Sequence, residues 1–133
     1  MRYVLDTNVV ARLLDGDERV TARLADVSTD DVGMPLVVLA ELLFGAEKSA
    51  RRDANLARLE RFAAGVQVLP FDRVLAARYG AVRAAVERGG RPKSDFDLVV
   101  ACTALEHGAT LVTHDGALKD GSVPGLVVDD WLS

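Results

Sequence analysis

Short apolar runs alternate with helix-forming stretches along this whole chain, and that alternation admits few architectures. Residues 2–5, 31–34, 66–69 and 110–113 each read as a strand, and 127–128 as a further short edge strand. Helical patterns fill the intervals: 8–14, 18–27, a helix opened by Pro35 and running to 48, then 50–64, a helix capped by Asp72 and running to 88, and one from Ser94 to 108. Proline suits a first helical position because its missing N–H has no partner there anyway. Strands separated by helices of ten or more residues pair in parallel through crossovers. The expected fold is therefore α/β, a three-layer sandwich with a central parallel sheet of four to five strands flanked by helices. No repeat, low-complexity tract or linker divides it, so residues 1–133 are expected to form a single domain.

Two of the strands deliver an aspartate just past their ends, Asp6 after Val4-Leu5 and Asp115 after Val112-Thr113-His114. Ligands of open α/β sheets bind outside the carboxyl ends of the strands. Each acid also has an ordinary local reading, Asp6 as a helix cap and Asp115 as a turn residue before Gly116. Glu41 interrupts the apolar run Leu36-Val37-Val38-Leu39-Ala40-Glu41-Leu42-Leu43-Phe44. A helix apolar all round is expected to be buried, and an acid inside it to have a partner or a metal. Asp97 lies in Ser94-Asp95-Phe96-Asp97-Leu98, where Ser94 and Asp97 also fit a capping box. Asp95 reads as a helix-start charge favoured by the dipole, or as an auxiliary ligand.

Taken together, the four acids imply a cation. Two carboxylates ~5 Å apart repel by ~3 kcal/mol at an effective dielectric near 20. A cluster of Asp6, Glu41, Asp97 and Asp115 needs a positive charge or raised pKa values to persist. Hard oxygen ligands suit Mg²⁺ or Mn²⁺, and such ions activate water and stabilise a phosphate under in-line attack. Thr7, Asn8 and Thr113 are placed to orient the carboxylates or that water.

Net charge is −4, but its distribution is uneven. Residues 48–93 hold 11 of the 16 basic residues and only four acids, leaving 5 basic and 16 acidic residues elsewhere. A basic middle beside acidic ends can steer a polyanion toward an acidic reaction centre. Cys102 is the only cysteine, which fits a reducing cytoplasm and excludes an internal disulfide. There is no secretory signal pattern and no apolar run long enough to span a bilayer.

The ordered motifs resemble the PIN-domain family, and within it the VapC-type toxins of bacterial toxin–antitoxin pairs. The resemblance rests on Leu5-Asp6-Thr7-Asn8, on residues 40–49 around Glu41, on Gly90-Arg91-Pro92 and Asp95-Phe96-Asp97-Leu98, and on Gly108-Ala109-Thr110-Leu111-Val112-Thr113-His114-Asp115. Val123-Pro124-Gly125-Leu126 and Asp129-Asp130-Trp131 complete it. It implies a metal-dependent endoribonuclease that cleaves single-stranded RNA, with Asp6 and Asp97 as direct ligands of Mg²⁺ or Mn²⁺ and Glu41 and Asp115 acting through water or at a second ion. It also implies a VapB-type antitoxin partner that lays a segment over the groove, and paired toxin subunits within a larger assembly. Arg83, Arg88, Arg91 and Lys93 are the expected phosphate contacts. The segment 116–122 is one residue longer than the usual pattern, and His114 stands where another polar residue is common.

Other readings are open to discrimination. An aspartyl-phosphate phosphatase wants a second Asp at the position of Asn8. A phospho-acceptor receiver wants paired acids after the first strand and a Lys after a later one. The remaining alternative is a non-catalytic PIN-like module that binds RNA or protein.

Overall fold

Five parallel strands form one sheet in the order β3-β2-β1-β4-β5, in a computed structural model that describes residues 1–133. They are β1 (Tyr3–Leu5), β2 (Val32–Pro35), β3 (Gln67–Leu69), β4 (Thr110–Val112) and β5 (Val128–Asp129). The helices are α1 (Thr7–Leu14), α2 (Glu18–Ala25), α3 (Leu36–Glu47), α4 (Arg52–Ala64), α5 (Arg73–Arg88), α6 (Asp95–Glu106) and the four-residue α7 (Gly116–Lys119). The α/β sandwich read from the sequence is the observed fold. Two elements escaped that reading, α7 and a 3₁₀ turn at Thr29–Asp31. Both are too short to carry an apolar period. Pro35 ends β2 and caps α3 rather than opening the helix.

The core is continuous. Val4 and Leu5 of β1, Val32 and Met34 of β2, and Leu111 and Val112 of β4 are fully buried, and Leu98, Val100, Ala101 and Ala104 of α6 pack against them. Central strands covered on both faces lack apolar–polar alternation, as these do. Trp131 packs edge-on against Tyr3, with ring centroids 5.3 Å apart, and fixes the C-terminal residues to the sheet. No helix is long and apolar enough to cross a membrane.

Strand order places the site. From β1 the chain moves outward through β2 to β3, then returns past both to β4 on the other side of β1. The direction reverses between β1 and β4, the switch point where open sheets bind ligands. Register there pairs Leu5 with Val112, so the residues that follow, Asp6 and Thr113, emerge at the same level.

Leu98→Ala, which empties a fully buried position under this switch point, is expected to lower unfolding free energy by about 2–5 kcal/mol. Urea denaturation followed by circular dichroism checks it.

Candidate active site

Asp6 is 3% exposed and is the anchor of the site. The Thr113 hydroxyl donates to its Oδ2 at 2.7 Å, and the Thr7 amide donates to its Oδ1 at 2.8 Å. Asn8 adds a longer contact to Oδ2 at 3.4 Å, and its own Oδ1 accepts the His114 amide at 3.1 Å. Thr113 Oγ1 also accepts the Asp115 amide at 3.0 Å. A single hydroxyl thus ties the acid after β1 to the acid after β4. Both aspartates cap helices as well, Asp6 at α1 and Asp115 at α7. The local and functional readings coexist because a helix start faces the same cleft.

Burial raises the Asp6 carboxyl above its ordinary range, against the donors of Thr113 and Thr7, and the charge of Asp115 raises it further. Asp97, in the first turn of α6, is raised by partial burial, by Asp115 and by Asp6, while Ser94 and Lys93 pull it down. Three acids from distant parts of the chain therefore feel one another. As placed, no three acidic, histidine or cysteine side chains meet in a closed ligand group, so the convergence is looser than a formed chelate. The donor set itself suits a hard divalent cation. Beside it, Thr7 Oγ1 is buried without a hydrogen-bond partner, an unmet polar atom next to Asp6.

Glu41 departs from the sequence expectation. It is exposed, because α3 is not buried all round: Leu36 is 47% and Phe44 59% exposed on the same helix. Glu41 lines a cavity of about 350 Å³ with Thr7, Phe44, Lys48, Asn55 and Arg58. That cavity touches Thr7, the neighbour of Asp6, but none of Asp6, Asp97 and Asp115, and Glu41 is not among the charges that act on Asp6 or Asp97. Asp95 does not join the acids. Its carboxylate accepts from Tyr79 Oη at 2.7 Å and from Arg83 Nη1 at 3.1 Å, out on α5.

The cations also fall differently from expectation. Arg83 is committed to Asp95, Tyr79 and Glu87. Lys93 is no surface charge: its side chain is 4% exposed and its ammonium lies 2.5 Å from Asp120. Arg91 sits 3.5 Å from the same carboxylate, and Arg88 is exposed. The cations that line the Glu41 cavity are Lys48, stacked 4.6 Å over the Phe44 ring, and Arg58, which donates to Leu14 O and Asn55 Oδ1. Their signal in the sequence was the basic excess of residues 48–93, which has no position within it. His114 is turned by Asp130, which accepts from its Nδ1 at 2.9 Å. Burial alone would raise Asp130, but Lys119 and His114 outweigh it and hold it at about 2.

The PIN domain family model matches residues 3–122. The chain is 31% identical to the tRNA(fMet)-specific endonuclease VapC of Shigella flexneri, over 98% of each chain. In structure it is similar to the DNA-bound VapBC of Salmonella typhimurium, with a TM-score of 0.90, 29% identity and 98% of both chains covered. It is likewise similar to VapBC2 of Rickettsia felis bound to a promoter DNA fragment, with a TM-score of 0.89, 27% identity and 98% and 99% coverage.

An acid whose folded pKa is raised binds its proton more tightly in the folded state, so it costs stability as pH rises through that value. Asp6→Asn is therefore expected to raise the melting temperature in neutral, metal-free buffer, with the gain fading as pH falls through the Asp6 transition. Differential scanning calorimetry across pH checks this.

Proposed function

The chain belongs to the PIN-domain family, and to the VapC proteins within it, and from that premise we propose that it is the endoribonuclease toxin of a VapBC-type pair, hydrolysing phosphodiester bonds in single-stranded regions of RNA. The observation that supports this best is the buried Asp6 carboxylate, tied through Thr113 to Asp115 and within the field of Asp97. Such a group of acids is suited to a divalent ion, Mg²⁺ or Mn²⁺, which when bound supplies an activated water and charge stabilisation at the phosphate. Asp6 and Asp97 would hold it directly, and Asp115 and Glu41 through water or at a second position.

The remaining roles belong to the chain. Thr113 and the Thr7 amide fix both oxygens of Asp6, so its orientation is set before substrate arrives. Asn8 holds the His114 backbone and with it the start of the segment that carries Asp115. Lys48 and Arg58, at the cavity shared by Thr7 and Glu41, would meet phosphates of the RNA beyond the cut. Phe44 offers an exposed ring for a base to stack on.

The partner in this reading is a VapB-type antitoxin, as in the VapBC complexes of the relatives. The open apolar face of α3 suits a covering segment, and a basic side chain from that segment would answer the repulsion among the acids. Paired toxin subunits within a larger assembly, acting in the cytoplasm, complete the proposal. The relative from Shigella flexneri makes the initiator transfer RNA the first substrate to try.

With purified protein, Asp6→Asn and Asp97→Asn are expected to lower RNA cleavage roughly 10²–10³-fold, and chelator to abolish it until Mg²⁺ or Mn²⁺ is restored. Equal cleavage by wild type and Asp6→Asn, read on a denaturing gel, overturns the assignment. Lys48→Ala with Arg58→Ala should weaken RNA binding across sequences and flatten its salt dependence by about one counterion per lost phosphate contact, measured by fluorescence anisotropy at several ionic strengths.

A further inference from the structure

Lys93 is a lysine with almost no exposed side chain, in a protein whose other basic residues are largely solvated. Burying an ammonium is unfavourable unless a partner compensates it. The partner is Asp120, whose Oδ2 lies 2.5 Å from the ammonium, and whose Oδ1 accepts from the Ser122 amide at 2.9 Å and hydroxyl at 2.6 Å. The Lys93 ammonium and the Ser122 donors hold the Asp120 carboxyl well below the usual carboxylate range.

What gives the pair a role is where its two ends are attached. Lys93 immediately precedes Ser94, the cap of α6, whose hydroxyl accepts the Asp97 amide at 3.1 Å. Asp120 closes α7, the four-residue helix capped at its other end by Asp115. The bond therefore joins the segment that presents Asp97 to the segment that presents Asp115. Between the two ends little else is regular: α7 is a single turn, seated by Leu118 in the core and by Lys119 on Asp130, and residues 91–94 form neither helix nor strand.

We infer that Lys93 is a positioning residue of the acid centre, which through Asp120 sets the placement of Asp115 relative to Asp97 and so the affinity of the site for a divalent ion. This rests on the functional reading above. Partners that orient metal-binding side chains typically matter about 10–100-fold in affinity.

The test uses Lys93→Met, Asp120→Asn and the double variant, with two readouts. The first is Mn²⁺ binding by calorimetry. Simple field effects would move the singles in opposite directions, since one removes a positive and the other a negative charge. Positioning moves both the same way, so each single should bind Mn²⁺ about tenfold more weakly or worse. The double should be no weaker than the worse single, because one bond is lost in every case. Opposite shifts, or additive losses, overturn the inference.

The second readout is amide hydrogen exchange in metal-free buffer, which reports local opening. Exchange is expected to quicken at Asp97 and Ala117, whose amides are bonded to Ser94 and Asp115, and to stay slow at Leu111 in β4. Unchanged exchange, or acceleration reaching Leu111, overturns the inference. Should wild-type protein bind no Mn²⁺, the metal reading of the site fails, while the exchange pattern still decides whether Lys93 holds the two segments together.

Discussion

A carboxylate kept out of water is the constraint around which this site is organised. Asp6 is surrounded by core residues of β1 and α1, and desolvation penalises its charged form. The local structure answers only part of that penalty. One oxygen takes a backbone amide from the turn into α1, and the other takes the hydroxyl of Thr113 from the neighbouring strand. Adding Asp115 and Asp97 nearby works against the charge again. Folding for stability alone does not favour this grouping, and a bound cation or a basic side chain from a partner would relieve it.

Much of the framework was legible because the relevant signals are local or periodic. Asp72 and Ser94 read as helix caps and act as such, bonding the amides of Leu75 and Asp97. The strands read as apolar runs because the sheet is covered. Asp6 and Asp115 could be placed at the same end of the sheet from topology alone, since parallel strands all finish on one side. The register that lets Thr113 reach Asp6 was not legible, as it depends on a pairing across more than a hundred residues.

The misreadings share a cause. Nearly every sequence neighbour of Glu41 is apolar, and such a pattern implies an enclosed helix. In the single chain α3 leaves Leu36 and Phe44 open, a face whose coverage a sequence cannot report. Lys93 and Arg83 looked like free charges because composition counts charges without their partners. Each is paired with an acid 12 or more positions away, Asp120 and Asp95. Sequence shows which groups can bear charge, and only tertiary placement shows which charges are already answered.

The pairing of β1 with β4 has a consequence for how the protein is made. Asp6 leaves the ribosome early, yet the hydroxyl that orients it and its companion acid lie at positions 113 and 115. A nascent chain stopped short of β4 has β1 paired on its β2 side alone, and its Asp6 lacks the Thr113 hydroxyl. The oriented carboxylate thus forms only when β4 docks on the free side of β1, late in the making of the chain.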